Sequence, residues 1–377
     1  MKTNPNIYSC AIIGGGLAGL SLAIQLADAG IQAIVFEKNT YPFHKVCGEY
    51  ISMESWNFLL TLGLPLNDMD LPSIKKVGIS SEKGFMLNTS LALGGFGISR
   101  YTLDQELCVL ARSKGVTVLE NCKVLDVVTE NENESLITTT LGTYTAKIVC
   151  GSYGKYTPTF AKNEKTSKKK NINYIGVKHH IKTDFPNNKI ELHNYEGGYC
   201  GVSKVDQDTF CLCYLSTSDQ LKRAGNDIKQ LEEMVLYKNP FLKRIFLESE
   251  FLFEQPLVIS NITFHKKTTY SNGIFLLGDA AGSITPLCGN GMSMGLRASF
   301  ILAKLLVSFF NTNTNKESLI KAYQHAWNNQ FNFRIQIGYY LQSLFGKKST
   351  THVVLKTLDE LPSVTQKIIG LTHGKPF

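Results

Sequence analysis

Residues 7–37 read IYSCAIIGGGLAGLSLAIQLADAGIQAIVFE. The apolar run 7–13 predicts a short buried strand, residues 16–29 a helix rich in small residues and leucine, and residues 32–36 a second strand. With almost no spare loop, this is a β-α-β unit. Gly14, Gly16 and Gly19 stand at GxGxxG spacing in the turn between strand and helix. Glycine permits the tight turn, lets the backbone approach a pyrophosphate and keeps helix and strand close, and the helix N-terminus then faces the phosphate charge. The spacing alone is a weak signal. It gains weight from Glu37, which ends the second strand eighteen residues beyond Gly19, where a carboxylate can hold the adenosine ribose hydroxyls. That charge would repel a 2′-phosphate, so the turn predicts FAD or NAD rather than NADP.

The remaining composition narrows the class. The chain has 377 residues, 43% apolar and 19% charged, which is ordinary globular usage for one large domain with an insertion or two closely joined domains. Its net charge of +8 comes from 39 basic residues against 31 acidic ones, and only six of the basic residues are arginine. Lysine excess reads as a solvated face, and so few guanidinium forks predict no nucleic-acid partner. The basic balance suits attraction of NAD(P)H, an acyl-carrier protein or an anionic membrane surface touched peripherally. Nine cysteines, an odd number in a chain too large to need staples, predict reduced thiols and a cytoplasmic setting. Cys211 and Cys213 share a strand face and read as packing rather than half a zinc site, so no metal is expected. The first residues run into the strand without a separate cleavable apolar segment. No stretch reaches the roughly 18 to 20 apolar residues of a bilayer span.

Along the chain, helices are expected at 52–62, 102–114, 228–248, 292–310 and 316–345. The middle third carries the strand candidates YIGVKHHI, KIELHNY, YCGVSKV and FCLCYL, which predict a largely antiparallel sheet. The adjacent His179 and His180 then point to opposite faces. The segment 161–170, AKNEKTSKKK, reads as an exposed loop and domain crossing. At 272–282, NGIFLLGDAAG, an Asn-Gly turn leads into an apolar strand that ends in Gly278-Asp279, where the interrupted nucleotide domain resumes.

Four separated segments now resemble the flavoprotein monooxygenase and geranylgeranyl-reductase superfamily with the p-hydroxybenzoate hydroxylase fold. They are the Gly14 turn with Glu37, YPFHKVCGEYIS at 41–52, SRYTLDQELCVLA at 99–111, and GDAAGSITPLCGNGMSMGLRAS at 278–299. The resemblance implies FAD, with Lys45, Val46, Cys47, Gly48 and Glu49 in a loop along the flavin and Arg100 at the pyrophosphate or flavin side. It places Asp279 at the ribityl or phosphate region, and Pro286, Gly289, Asn290, Gly291 and Met292 at the pyrimidine edge. A helix starting near Gly291 would present free N–H groups there, where reduced flavin gathers negative charge. At 154–157 the sequence Gly-Lys-Tyr-Thr departs from the Gly-Lys-Arg-Ser or nearby Asp-Gly of relatives, which affects how reduced nicotinamide is received. The implied architecture is α/β: a Rossmann-like FAD-binding domain (1–71, 97–160, 265–345) interrupted by a mainly antiparallel β-sheet substrate domain (72–96, 171–264), with a C-terminal extension at 346–377.

Only one dinucleotide fingerprint is present, so NADH or NADPH would visit transiently, and no CxxC pair points to a disulfide reductase. The preferred reading is a single-component monooxygenase: NAD(P)H reduces FAD, and molecular oxygen is inserted into a hydrophobic or aromatic, phenolic or polyketide-like small molecule. Reduction of an isoprenoid or other unsaturated lipid is the runner-up, because HKVCGE and Gly282 resemble geranylgeranyl reductases, although YCGVSKV lacks their aromatic-x-aromatic-x-x-Pro pattern. The missing pattern also lowers halogenation. A flavin-binding protein without efficient turnover is the reading from another class. Cys47, His44 and Tyr199 are the candidates for direct catalytic roles.

Overall fold

Short apolar runs set the first elements of the computed structural model, which describes residues 7–131, 134–161, 172–262, 267–282, 289–312 and 314–377. They are β1 (Ile7–Ile13), α1 (Leu17–Asp28) and β2 (Ala33–Phe36), followed by β3 (Tyr50–Ser52), α2 (Trp56–Leu62), β4 (Ser73–Ser80) and β5 (Met86–Gly97). Next come α3 (Arg100–Ser113), β6 (Thr117–Leu119), and the meander β7 (Val124–Asn131), β8 (Glu134–Thr139) and β9 (Gly142–Gly151). The middle third holds β10 (Tyr174–Lys182), β11 (Lys189–Tyr195), β12 (Gly198–Lys204) and β13 (Phe210–Thr217), then α4 (Ser218–Arg223), α5 (Ile228–Met234), α6 (Pro240–Glu248), β14 (Glu250–Phe251) and β15 (Leu257–Ile262). The chain ends on β16 (Tyr270–Ser271), β17 (Ile274–Leu276), α7 (Gly291–Thr312), α8 (Lys316–Leu344), α9 (Lys348–Asp359) and α10 (Pro362–Thr372).

Among the described residues the first sheet runs β16-β17-β9-β1-β2-β6, with β8 on β9 and β7 on β8. Its centre is parallel, Cys10 opposite Ala33 and Ile148. Cys10, Ala11, Ile12, Ile34 and Val35 are fully buried, as a parallel sheet covered on both faces requires. One core joins this sheet to α1, α2, α3, α7 and α8. The turn Asn272-Gly273, with φ of 50° and 78°, is the tight hairpin its sequence predicts.

The second sheet runs β14-β10-β13-β12-β11-β4-β5-β3, with β15 also on β10. It is mixed and mainly antiparallel: β11 lies parallel to β4, Lys189 opposite Lys76. Ile175, Val177, Leu212 and Tyr214 pack one face against Leu231, Leu242 and Ile245. Strand alternation turns Gly176, Lys178 and His180 to the other face. A Rossmann-like α/β unit is thus interrupted by a β-sheet unit.

Two expectations change. The single helix at 228–248 is two, because Pro240 has no N–H to continue a helix and begins α6 instead, capped by Asn239. The chain also does contain a helix long and apolar enough, by length and composition, to cross a bilayer: α7, with more than half of it buried. It escaped a search for unbroken apolar runs because Ser, Gly, Arg297 and Lys304 punctuate it; its packing against α1 and α8 makes it a core helix. Residues 162–171, which hold most of the lysine-rich segment, lie outside the described residues, as does Pro286.

Candidate functional site

The turn after β1 closes only with glycine. Gly14 has φ +100°, and a Cβ there would lie 2.6 Å from the Ser152 carbonyl oxygen; on Gly19 it would lie 2.3 Å from the Gly14 carbonyl oxygen. Gly16 caps α1 and no side chain bonds the first helical N–H groups, so they remain open to an anion. Two cations converge there. A Cβ on Gly16 would sit 3.4 Å from Arg100 Nη2 and 3.6 Å from Lys45 Nζ.

Both cations are held by Asp104, one helical turn after Arg100. Arg100 Nε and Nη2 donate to its two carboxylate oxygens at 2.9 and 2.6 Å, and Lys45 Nζ donates at 2.9 Å. Asp104 is wholly buried. Burial pushes its carboxyl upward, but Arg100 and then Lys45 outweigh that and hold it below its ordinary range. Two cations against one carboxylate leave a positive charge over a free helix N-terminus, which fits a pyrophosphate.

Glu37 is buried and accepts the Gly15 N–H at 3.0 Å and the Asn39 backbone and side-chain N–H groups at 3.0 and 2.8 Å. The carboxylate therefore braces the turn itself, with acceptor capacity left for a ribose diol. The Tyr41 hydroxyl donates to the Gly15 carbonyl from the same side.

The loop after β2 lies on the inner face of the second sheet. A Cβ on Gly176 would meet Val46 Cγ1 at 3.1 Å, Lys178 Nζ donates to the Lys45 carbonyl at 3.2 Å, and Cys211 Sγ donates to the Cys47 carbonyl at 3.2 Å. Cys47 is a half-buried free thiol. His44 stacks on Tyr101 and meets His180 and Phe253 edge-on. Its buried Nδ1 has no hydrogen-bond partner among the described residues. Burial, then the charges of Lys178 and His180, push its pKa down to about 4. Tyr199 is placed elsewhere, in an apolar wall with Leu215 and Ile262, against which Leu192, Leu341 and Phe345 pack.

At the far end, Gly278, Asp279, Gly282 and Gly291 line one crevice with Trp327 and Phe331. The Asp279 carbonyl accepts from Lys267 Nζ at 2.9 Å. Gly289 has φ +65°, α7 starts at Gly291, and Met292 is buried behind it. Asn290 is wholly buried; its Nδ2 donates to the Thr372 carbonyl at 2.5 Å and its Oδ1 has no partner among the described residues. A Cβ on Gly48 or Gly291 would meet nothing within 4 Å. These orphaned and open positions fit a flat ligand edge. A larger concavity of about 870 Å³, lined by Lys182, Asp184, Lys204, Arg244 and Glu248, includes neither this crevice nor the loop at 44–49; its mixed charges single out no ligand.

Sequence reasoning missed Asp104, Lys178 and His180. Asp104 was signalled by its i,i+4 spacing from Arg100, and the other two by basic residues inside the apolar strand YIGVKHHI. Glu49, His180 and Cys211 bring a carboxylate oxygen, an imidazole nitrogen and a thiol within 4.8 Å of one another. Lys178, paired to the same carboxylate at 2.5 Å, puts an ammonium where a cation would bind.

Two family models each match part of the chain. One described as Pyridine nucleotide-disulphide oxidoreductase matches residues 11–188, and one described as Squalene epoxidase matches residues 206–357. The chain is 24% identical over 356 residues to Conditioned medium factor receptor 1 of Dictyostelium discoideum, spanning 86% of this chain and 68% of that protein. It is 21% identical over 348 residues to Digeranylgeranylglycerophospholipid reductase of Methanocaldococcus jannaschii, spanning 87% and 84%. Kynurenine 3-monooxygenase of Flavobacterium psychrophilum is 25% identical over 336 residues, spanning 80% and 73%. Among solved structures, the flavin-dependent brominase Bmp2 superposes with a TM-score of 0.80 at 18% identity, over 97% of this chain and 93% of that one. With the turn, the cation pair and the interrupted Rossmann-like fold, these matches support an FAD-dependent oxidoreductase similar to the monooxygenases, halogenases and isoprenoid reductases of the p-hydroxybenzoate-hydroxylase/geranylgeranyl-reductase-like group.

Proposed function

We propose that the chain is an NAD(P)H-dependent monooxygenase acting on an apolar or aromatic small molecule. FAD would run from Gly14, Gly16 and Gly19, with Glu37 on its ribose, past Lys45, Val46 and Arg100, toward Asp279 and the segment Gly289, Asn290, Gly291 and Met292. The observation that carries this placement is the Lys45 and Arg100 pair poised over the uncapped N-terminus of α1. When bound, FAD supplies hydride acceptance from NAD(P)H and activation of oxygen. The chain's own residues orient and shield. Asp104 aligns the two cations, the first N–H groups of α7 favour negative charge at the cofactor's edge, and the buried cluster of Tyr199, Leu215 and Ile262 would back the substrate side with apolar packing that excludes water. His44 is neutral near pH 7 and a weak base, and its unpartnered Nδ1 suits a hydrogen bond to substrate rather than proton abstraction.

Oxygen insertion is favoured over the alternatives by the kynurenine 3-monooxygenase relative and by the Squalene epoxidase match, which covers Leu215, Ile262, Leu341 and Phe345 of the apolar wall. Reduction of an unsaturated isoprenoid is the second reading. It is favoured by the free Cys47 thiol in the pinned loop and by the archaeal reductase relative. Turnover with NAD(P)H under isotopically labelled oxygen, across phenolic, polyketide-like and polyprenyl substrates, separates the two. The monooxygenase reading predicts label in the product; a product that gains two hydrogens and no label would overturn it and select reduction.

A further inference from the structure

Strand β10 carries three consecutive basic residues, Lys178, His179 and His180, and all three are buried. Basic side chains inside a sheet persist only with partners. Alternation along the strand sends them two ways. His179 faces the helices, its Nε2 3.0 Å from Glu232 Oε1, which also accepts the Tyr214 hydroxyl at 2.9 Å. Lys178 and His180 face the loop after β2, and both meet Glu49, at 2.5 and 2.7 Å.

Glu49 is wholly buried and also accepts the backbone N–H of Arg100, the first residue of α3, at 2.7 Å. Its φ of +56° is a left-handed value that favours glycine. A glutamate stands there despite the backbone strain, and an ionised carboxylate can accept from an ammonium, an imidazole and a helix N-terminus together. A second tie runs from Asp206, which accepts the Ser99 N–H and the Thr102 hydroxyl at 3.0 and 2.9 Å. Loss of Glu49 would therefore loosen the loop without detaching α3.

We propose that Glu49 is a positioning residue: by binding Lys178 and His180 of the second sheet and the Arg100 N–H of α3, it fixes residues 45–48 and the Arg100 side chain in the register that receives FAD. This rests on the cofactor placement proposed above.

Glu232 provides the control, because it pairs with the same strand on its opposite face. Glu49→Gln and Glu232→Gln should both lower the melting temperature, since each strands a buried group. Only Glu49→Gln should weaken FAD binding to the apo-protein, by about tenfold or more, and speed amide hydrogen exchange in residues 44–50. If Glu49→Gln does not fold, Glu49→Gln/Lys178→Met removes the stranded ammonium as well and should fold with the same weakened FAD binding. FAD affinity equal to that of Glu232→Gln, with unchanged exchange in residues 44–50, would overturn the proposal. A native protein that takes up no FAD would overturn the cofactor placement instead, and exchange in residues 44–50 would still decide the anchoring role.

Discussion

A methyl group at Gly19 would enter space held by the Gly14 carbonyl oxygen, Ile12 and Ser152. Gly19→Ala must therefore push α1 away from β1, with an expected loss of about 1–3 kcal/mol in denaturant melts and weaker FAD binding. Gly48→Ala enters open space and should leave apo-protein stability within about 0.5 kcal/mol. Equal losses at the two positions would contradict the close-packed turn. His44 makes a second residue-scale test. Its pKa is lowered from 6.5 to about 4, so the unfolded chain takes up the proton first as pH falls. Stability contributed by neutral His44 is complete above the unfolded value and is lost between there and the folded one. An NMR titration of His44 with a midpoint at or above 6.5 would contradict this environment. At this scale Gly14, Glu37, Lys45 and Arg100 were legible because short motifs state their chemistry locally. Glu49 was legible as a loop residue but not as an ion-pair partner, because Lys178 and His180 come from a strand some 130 residues later.

Elements were legible where one physical signal dominated. The apolar runs of β1 and β2 and the alternating strands of the middle third stand where their sequences placed them, and the Asn-Gly hairpin formed as its turn residues require. Strand partners were not legible, because pairing such as β4 with β11 is decided by tertiary packing more than a hundred residues apart. The break between α5 and α6 was written in Asn239-Pro240, yet the apolar periodicity on either side masked it. Asn239 is wholly buried. Its Oδ1 accepts the Phe241 N–H at 3.1 Å, and its Nδ2 donates to Ser80 Oγ at 2.8 Å and to the Asn194 carbonyl at 3.0 Å. Asn239→Ala removes a helix cap and orphans buried acceptors, so a loss of about 2–4 kcal/mol is expected by urea denaturation. A loss below about 0.5 kcal/mol would show that Asn239 is not the structural junction described above.

Over the whole molecule, the two sheets are tied at several points around the candidate site. The loop at 45–49 rests on β10 and β13, and a Cβ on Gly97 would lie 1.9 Å from the Lys204 carbonyl oxygen. The C-terminal helices close the other side: Gln366 Nε2 donates to Thr89 Oγ1 at 2.8 Å, and the Thr372 carbonyl accepts from Asn290 beside the start of α7. Buried Arg334 on α8 pairs with Glu54 at 3.2 Å, in the segment that follows β3. The proposed cofactor placement brings the phosphate turn, the loop and the α7 N-terminus, from both units, onto one ligand, and the central claim is that this ligand is FAD. Its most direct test is the visible absorption spectrum of the purified protein, with the released cofactor identified by mass and, if the protein is colourless, repeated after titration with FAD. The account predicts oxidised-flavin bands and about one FAD per chain, since one phosphate turn is present; a protein that stays colourless and takes up no FAD would contradict it.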